Sequence, residues 1–233
     1  MASTSSAPGM TASPLIPKLQ PGDRLTRDEF ERRYEAMPEL AKAELIEGVV
    51  YIVSGVRYTQ HGLPEHLLSA WLTFYELLTP GVAVVGNTTL RLDLDNEPQP
   101  DLLMRLPEHA GGRSFVGVDG WLEGAPELVV EVAASSVSYD LHQKLSAYRR
   151  NGVREYLVHR VDDAEVDWFV LEHGAYARQQ PDDEGLLRSR LFPGLVLSPA
   201  LLLAGDLRAL RDLVERACGD ETHRAFVRRL ADG

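Results

Sequence analysis

The chain alternates between two hydrophobic periods. In TRDEFERRYEAM, the apolar Phe30, Tyr34 and Met37 recur at helical spacing. Thr26 or Arg27 begins that helix, Asp28 and Glu29 occupy its first turn, and Pro38 ends it. AELIEGVVYIV then reads as two strands broken at Glu47-Gly48, an acidic-Gly pair typical of a hairpin turn. A polar loop follows Ser54-Gly55. LPEHLLSAWLTFYELL returns to helical spacing through Leu67, Leu68, Trp71, Leu72, Tyr75 and Leu78, and Pro80-Gly81 stops it. VAVVG and TTLRLDL are strand-like, DNEPQP is a turn-rich connector ending in Pro100, and DLLMRL is a further strand. A loop with Gly111-Gly112 leads to PELVVEVAASS, which reads as a buried strand. A helix is predicted from about Tyr139 to Arg150, closed by Asn151-Gly152. VREYLVHRV and EVDWFVL form a second antiparallel pair, with a small strand near Tyr176, then FPGLVLSP and two terminal helical stretches.

This order is that of a mixed α/β domain, a sheet flanked by helices. One domain is expected over residues 25–205. A flexible leader rich in Ser, Ala, Thr and Pro is expected over 1–24, and a C-terminal helical extension over 206–233. A hydrophobic share of 44% and a charged share of 25% leave room for a core of ordinary size. Without an apolar run of about 18 residues, no membrane span is expected. The leader lacks the basic start and apolar centre of a signal peptide, so the expected compartment is the cytoplasm. The single cysteine, Cys218, excludes an internal disulfide and a Cys-rich zinc site. A net charge of −11 bears on any nucleic-acid partner, because phosphate binding calls for a basic surface. Carboxylates clustered to collect a divalent cation would account for part of that excess acid.

Glu131 poses the sharpest chemical question. Leu128, Val130 and Val132 share one face of its strand; Val129, Glu131 and Ala133 share the other. Neither face is polar, and an unpaired buried carboxylate costs several kcal/mol or protonates. The plain alternative is an acid that reaches solvent at the strand end or pairs with an arginine. Asp101 follows Pro100 at the mouth of DLLMRL, where it is either a turn acid or a ligand for a hard cation. Lys144 lies at the edge of the stripe formed by Leu141, Leu145 and Tyr148, leaning toward the sheet; it could equally form an i,i+4 pair with Asp140. Glu44 shares a strand face with Ile46. Two carboxylates on neighbouring strands, a third upstream and a lysine on the next helix suit phosphodiester hydrolysis. The carboxylates would hold one or two divalent metals, and the lysine would offset charge on the attacking water or the phosphate.

AELIEG, PQPDLLMRL and PELVVEVAASSVSYDLHQKLSAYRRNGVREYLV together resemble the Uma-two family of restriction endonucleases, a branch of the PD-(D/E)XK nuclease superfamily, over roughly residues 27–205. The resemblance implies a restriction-endonuclease-like mixed central sheet with an α-β-β-β-α-β core. It also implies divalent-metal-dependent cleavage of nucleic acid. Pro100-Asp101 stands at the PD, Glu131 at the second acid and Glu44 at the N-terminal acid. Ala133 departs from the superfamily pattern, which has lysine there. In this branch the lysine looks displaced to the following helix, and Lys144 matches that position.

The expected function is therefore an endonuclease using Mg²⁺ or Mn²⁺, acting on DNA before RNA. Glu44, Asp101, Glu131 and Lys144 would be catalytic, with the three acids as metal ligands. The alternatives are an inactive nuclease-fold module that binds nucleic acid or a protein partner, and a scaffold in which Glu131 is a salt-bridge acid. Double-strand cutting commonly uses two active sites, so a homodimer is a candidate assembly. His61 could line the site mouth; His61 and His66, five apart, do not share a helix face as a zinc pair would. Arg57, Arg113, Arg149, Arg150 and Arg154 form either a phosphate-facing patch or scattered solvated charges. Gln143 reads as a surface residue, and Trp121 and Trp168 as packing residues.

Overall fold

The structure is a computed structural model and describes residues 15–53, 55–134 and 136–232. Among these residues the largest sheet has six strands, which the chain visits out of order. They are β3 (Ala83–Gly86), β5 (Leu102–Arg105), β8 (Leu128–Ala133), β9 (Glu155–Arg160), β10 (Glu165–Glu172) and β11 (Ala175–Arg178). Their spatial order is β11-β10-β9-β8-β5-β3. Only the β8–β9 pair is parallel. A parallel pair needs a crossover, and here it is helical: α3 (Val137–Tyr139), a π turn (Asp140–Lys144) and α4 (Leu145–Asn151). With α2 (Leu63–Leu78) ahead of β3, the run α2-β3-β5-β8-α3/α4-β9 gives the expected α-β-β-β-α-β core.

Strand β8 is buried along its whole length, because both faces of the sheet are covered. Leu128, Val130 and Val132 join the core beneath α2, packed with Leu68, Trp71 and Trp168. Val129 and Ala133 join the opposite layer with Tyr148 and Tyr156. The two-residue alternation read from the sequence is the one observed. The crossover ends at Gly152, whose φ of +80° suits glycine and lets its N–H reach the carbonyls of Arg149 and Tyr148.

A smaller unit precedes this core. Helix α1 (Arg27–Glu35) packs Phe30 against the hairpin β1 (Ala43–Ile46) and β2 (Val49–Ile52). Glu47 and Gly48 both have positive φ, 55° and 70°, as the tight hairpin turn requires. Residues 1–14 of the expected leader lie outside the described residues. Its last part packs: Leu19 is buried beside Phe30, and the Gly22 N–H donates to the Val50 carbonyl.

Some expectations need correction. TTLRLDL shortens to β4 (Leu90–Arg91), because Asp93 accepts bonds from the Asp95 N–H and the Asn96 amide and turns the chain. The stretch expected as a loop before β8 holds two short strands, β6 (Ser114–Val116) and β7 (Leu122–Gly124), which form a small sheet with β4. The C-terminal region has three helices, not two: α5 (Pro199–Leu203), α6 (Leu207–Cys218) and α7 (Glu221–Ala231). Ser198, Asp206 and Asp220 cap them. Leu210, Val214, Phe226 and Leu230 enter the core beneath α2, so residues 206–233 are continuous with the main body as far as they are described. Two further strands, β12 (Leu187–Arg188) and β13 (Val196–Leu197), pair antiparallel ahead of α5.

Candidate active site

The antiparallel register of β5 and β8 places Leu102 opposite Val130, so Asp101 and Glu131 come to lie beside each other one residue further along. Asp101 Oδ2 accepts the Val132 N–H at 2.8 Å, which fixes its carboxylate at the strand mouth. Glu44 comes from the other side of the site, on β1. Its Oε1 accepts the Gln99 N–H at 2.7 Å, tying the hairpin to the segment that leads into Asp101. All three acids are buried.

Lys144 joins them from the π turn. Its Nζ lies 2.9 Å from Glu131 Oε1, 3.0 Å from Glu44 Oε1 and 3.9 Å from Asp140 Oδ1. A π turn holds one residue more than an α turn and is common at functional sites. Here it brings Asp140 and Lys144 to one side while Ala147 and Tyr148 stay buried under the sheet. Tyr148 donates its hydroxyl to Glu131 Oε1 at 2.8 Å, and Ser136 donates to Asp140 Oδ2 at 2.5 Å. A cavity of about 380 Å³ opens over this cluster, lined also by Lys42, Arg57, His61 and Tyr139.

Residues 27–200 match the family Uma2, described as "Putative restriction endonuclease". The chain belongs to the Uma2 family. Among solved structures, it is similar to "a putative nuclease belonging to DUF820" from Anabaena variabilis ATCC 29413. Identity is 14% and the TM-score 0.55, over 75% of this chain and 97% of that one, a likeness of fold. No curated protein matches the sequence.

The charges of this Uma2 site are unbalanced. Among the described residues lining the cavity, six acids, Glu44, Glu65, Asp101, Glu131, Asp140 and Asp162, face Lys42, Lys144, Arg57 and His61. Burial, relieved by Lys144 and reinforced by the neighbouring acids, pushes Glu131 up to about 8. Burial likewise raises Asp140 to about 6. Burial also acts on Asp101, but its hydrogen bond and charge interaction with His61, then Lys42 and Lys144, hold its carboxyl below the usual range. Burial works against the Lys144 charge, yet Glu131, Glu44 and Asp140 together hold its ammonium well above the ordinary lysine value. Lys144 therefore stays protonated and cannot act as a base near neutral pH.

The oxygen-rich donor set has the chemistry of a Mg²⁺ or Mn²⁺ site. In the present side-chain arrangement the cation at its centre is the Lys144 ammonium. Among the described residues, no group of three or more His, Cys, Asp or Glu side chains is arranged to hold a metal ion. Asp101 and Glu131 lie adjacent across the sheet, while Glu44, the third expected ligand, is paired with Lys144.

All four residues singled out in the sequence converge in this Uma2 chain. Sequence reasoning passed over Lys42, whose Nζ is 3.8 Å from Asp101 Oδ1; the two-residue spacing from Glu44 was its available signal. Asp140 was visible as an i,i+4 partner of Lys144, but not as a buried acid of the site. His61 does stand at the mouth, its Nε2 3.2 Å from Asp101 Oδ1 and 3.5 Å from Glu65. His66 is exposed on α2. The arginines do not form one patch: Arg57 lines the cavity, whereas Arg113 and Arg149 bond the carbonyls of Gly152 and Gly174. Arg150 and Arg154 pair with Glu47 and Glu127. Gln143 is exposed.

Proposed function

We propose that this Uma2 chain is a metal-dependent endonuclease that hydrolyses phosphodiester bonds, with DNA as the preferred nucleic acid. The observation that carries the reading is the meeting of Glu44, Asp101, Glu131 and Lys144, from four separate segments, in one cavity. Asp101 and Glu131 would hold Mg²⁺ or Mn²⁺. Such a cation polarises a phosphate oxygen and lowers the pKa of a bound water. Lys144, permanently charged, would orient the attacking water or offset charge developing on the phosphate. Glu44 anchors Lys144 and, through Gln99, the approach to Asp101. Tyr148 fixes the Glu131 carboxylate by its hydroxyl.

The test is incubation of purified protein with supercoiled and linear DNA and with RNA, in Mg²⁺ or Mn²⁺. Wild type should cut, whereas Asp101→Asn and Lys144→Met should not. The reading is overturned if wild type cuts nothing in either metal, or if the variants cut as well as wild type.

A second reading is a nuclease-fold module that binds without cutting. It is favoured by Lys144, whose ammonium already lies 3.0 Å from Glu44 and 2.9 Å from Glu131, where a metal would otherwise meet them. Calorimetric titration with Mn²⁺ separates the two: a nuclease should bind metal and lose that binding in Asp101→Asn, while a module should give no heat. A homodimer would set two such sites on the two strands of a duplex, and sedimentation on a DNA fragment would reveal it. Among the described residues, no helix is long and apolar enough to cross a membrane.

A further inference from the structure

A second cavity, of about 290 Å³, lies behind the site between α1 and the segment 97–99. It sits just below the ~300–1,000 Å³ range of drug-sized sites, a size suited to one planar heterocycle. Its walls combine Tyr34, Met37 and Trp121 with Arg91, Glu97 and Gln99. Of the chain's three tryptophans, Trp71 and Trp168 are fully buried, whereas Trp121 is 42% exposed. The Arg91 guanidinium lies 5.4 Å from the Trp121 ring centre. Arg91 is held in turn by Asp119 and Glu31.

Glu97 is the unusual group. It is only 4% exposed, and among the described residues no hydrogen-bond donor reaches its Oε2. Its backbone is fixed by two bonds with Leu45, so the side chain is presented from a rigid edge. Burial, then a hydrogen bond and charge contact with the acid Glu31, push its carboxyl up to about 9, against the pull of Arg91 and Arg27. With that proton shared with Glu31, the acid keeps a carboxyl oxygen free to accept. Nucleobase edges carry N–H donors that suit such an acceptor. Aromatic faces such as Trp121 and Tyr34 accept a stacked base, because every base has a π face.

We infer that this cavity is a nucleobase site, taking an unpaired base of the nucleic-acid substrate, with Glu97 reading its edge and Trp121 stacking on its face. The inference rests on the nuclease reading for its biological sense and deepens it. Gln99 lines the cavity while its N–H holds Glu44, and Asp101 follows two residues later, so base and scissile phosphate would be gripped by one short segment. Trp121 and Tyr34 are not part of the cleavage cluster.

The probes are the four deoxynucleosides, which carry no phosphate and so do not report on the catalytic cavity. Equilibrium dialysis against metal-free protein should show saturable binding of at least one of them at millimolar concentration or below. Glu97→Met, which keeps the bulk but removes both polar atoms, and Trp121→Ala, at an exposed position, should each weaken it by about tenfold or more. Asp101→Asn should leave it unchanged. No saturable binding of any nucleoside, or equal binding by Glu97→Met and wild type, overturns the inference. Because cleavage is not the readout, nucleoside binding without cleavage would sink only the nuclease reading, and cleavage without nucleoside binding only this one.

Discussion

Glu131 is enclosed by Lys144, Tyr148 and three further acids, and its behaviour with pH follows from that company. Its carboxyl titrates near 8 in the fold, against an ordinary value of 4.5, and Asp140 near 6 against 3.8. Between those values the folded protein holds protons that the unfolded chain has released. Stability therefore falls as pH rises from the ordinary values of 3.8 and 4.5, and the loss is complete once pH has passed the folded values of about 6 and about 8. Thermal unfolding in EDTA should show the melting temperature dropping across that window, and Mn²⁺ should reduce the drop. Glu131→Gln should flatten the profile and stabilise the metal-free protein at the alkaline end by at least ~1 kcal/mol, the worth of one pKa unit. A loss of stability there would instead mark Glu131 as a structural partner of Lys144, whose removal leaves a buried charge uncompensated.

The π turn between α3 and α4 decides where two of those side chains point. Deleting Gln143, an exposed residue of the turn, should restore regular α spacing there. Asp140 and Lys144, then three residues apart, would shift relative to each other and could not both keep their places beside Glu131 and Glu44. Far-UV circular dichroism should change little, while single-turnover cleavage should fall by ~100-fold or more, the scale of a small misplacement at a reacting centre. Unchanged cleavage would remove the turn from the account. This element also marks the boundary of what was legible in the sequence. Strand β8 and the Glu47-Gly48 turn were readable because alternation and turn chemistry are local. Lys144 could be placed at the stripe edge for the same reason. The extra residue of the π turn has no local signature in DLHQK, so Asp140 read as a surface partner. The short strands β6 and β7 were missed because each exists only by pairing with distant β4 or with its neighbour, and neither is long enough to show a period.

At the scale of the whole molecule, one core and one net charge set the terms. Phe226 and Leu230 of α7 share the core beneath α2 with Trp71 and Trp168. Phe226→Ala should thus lower urea-unfolding stability by about 3–5 kcal/mol, as in other cores, although it lies on the last helix. A surface extension would lose almost nothing. The charge of −11 constrains nucleic-acid binding differently. Besides Lys144, which is enclosed by acids, the basic residues lining the cavity over the acid cluster among those described are Lys42, Arg57 and His61. Two permanent cations imply about two phosphate contacts, and a logarithmic salt slope near −2 for duplex DNA. Affinity should then fall only about tenfold between ~50 and ~200 mM salt, where a protein with many phosphate contacts loses 10³-fold or more. Filter binding with Asp101→Asn, which keeps the cations but should not cut, measures the slope directly. Adding Mg²⁺ to wild type should strengthen binding by covering the acids, and this gain should shrink in Asp101→Asn. A slope steeper than about −5 would require a basic face remote from the cavity, and the substrate path would then have to be sought there.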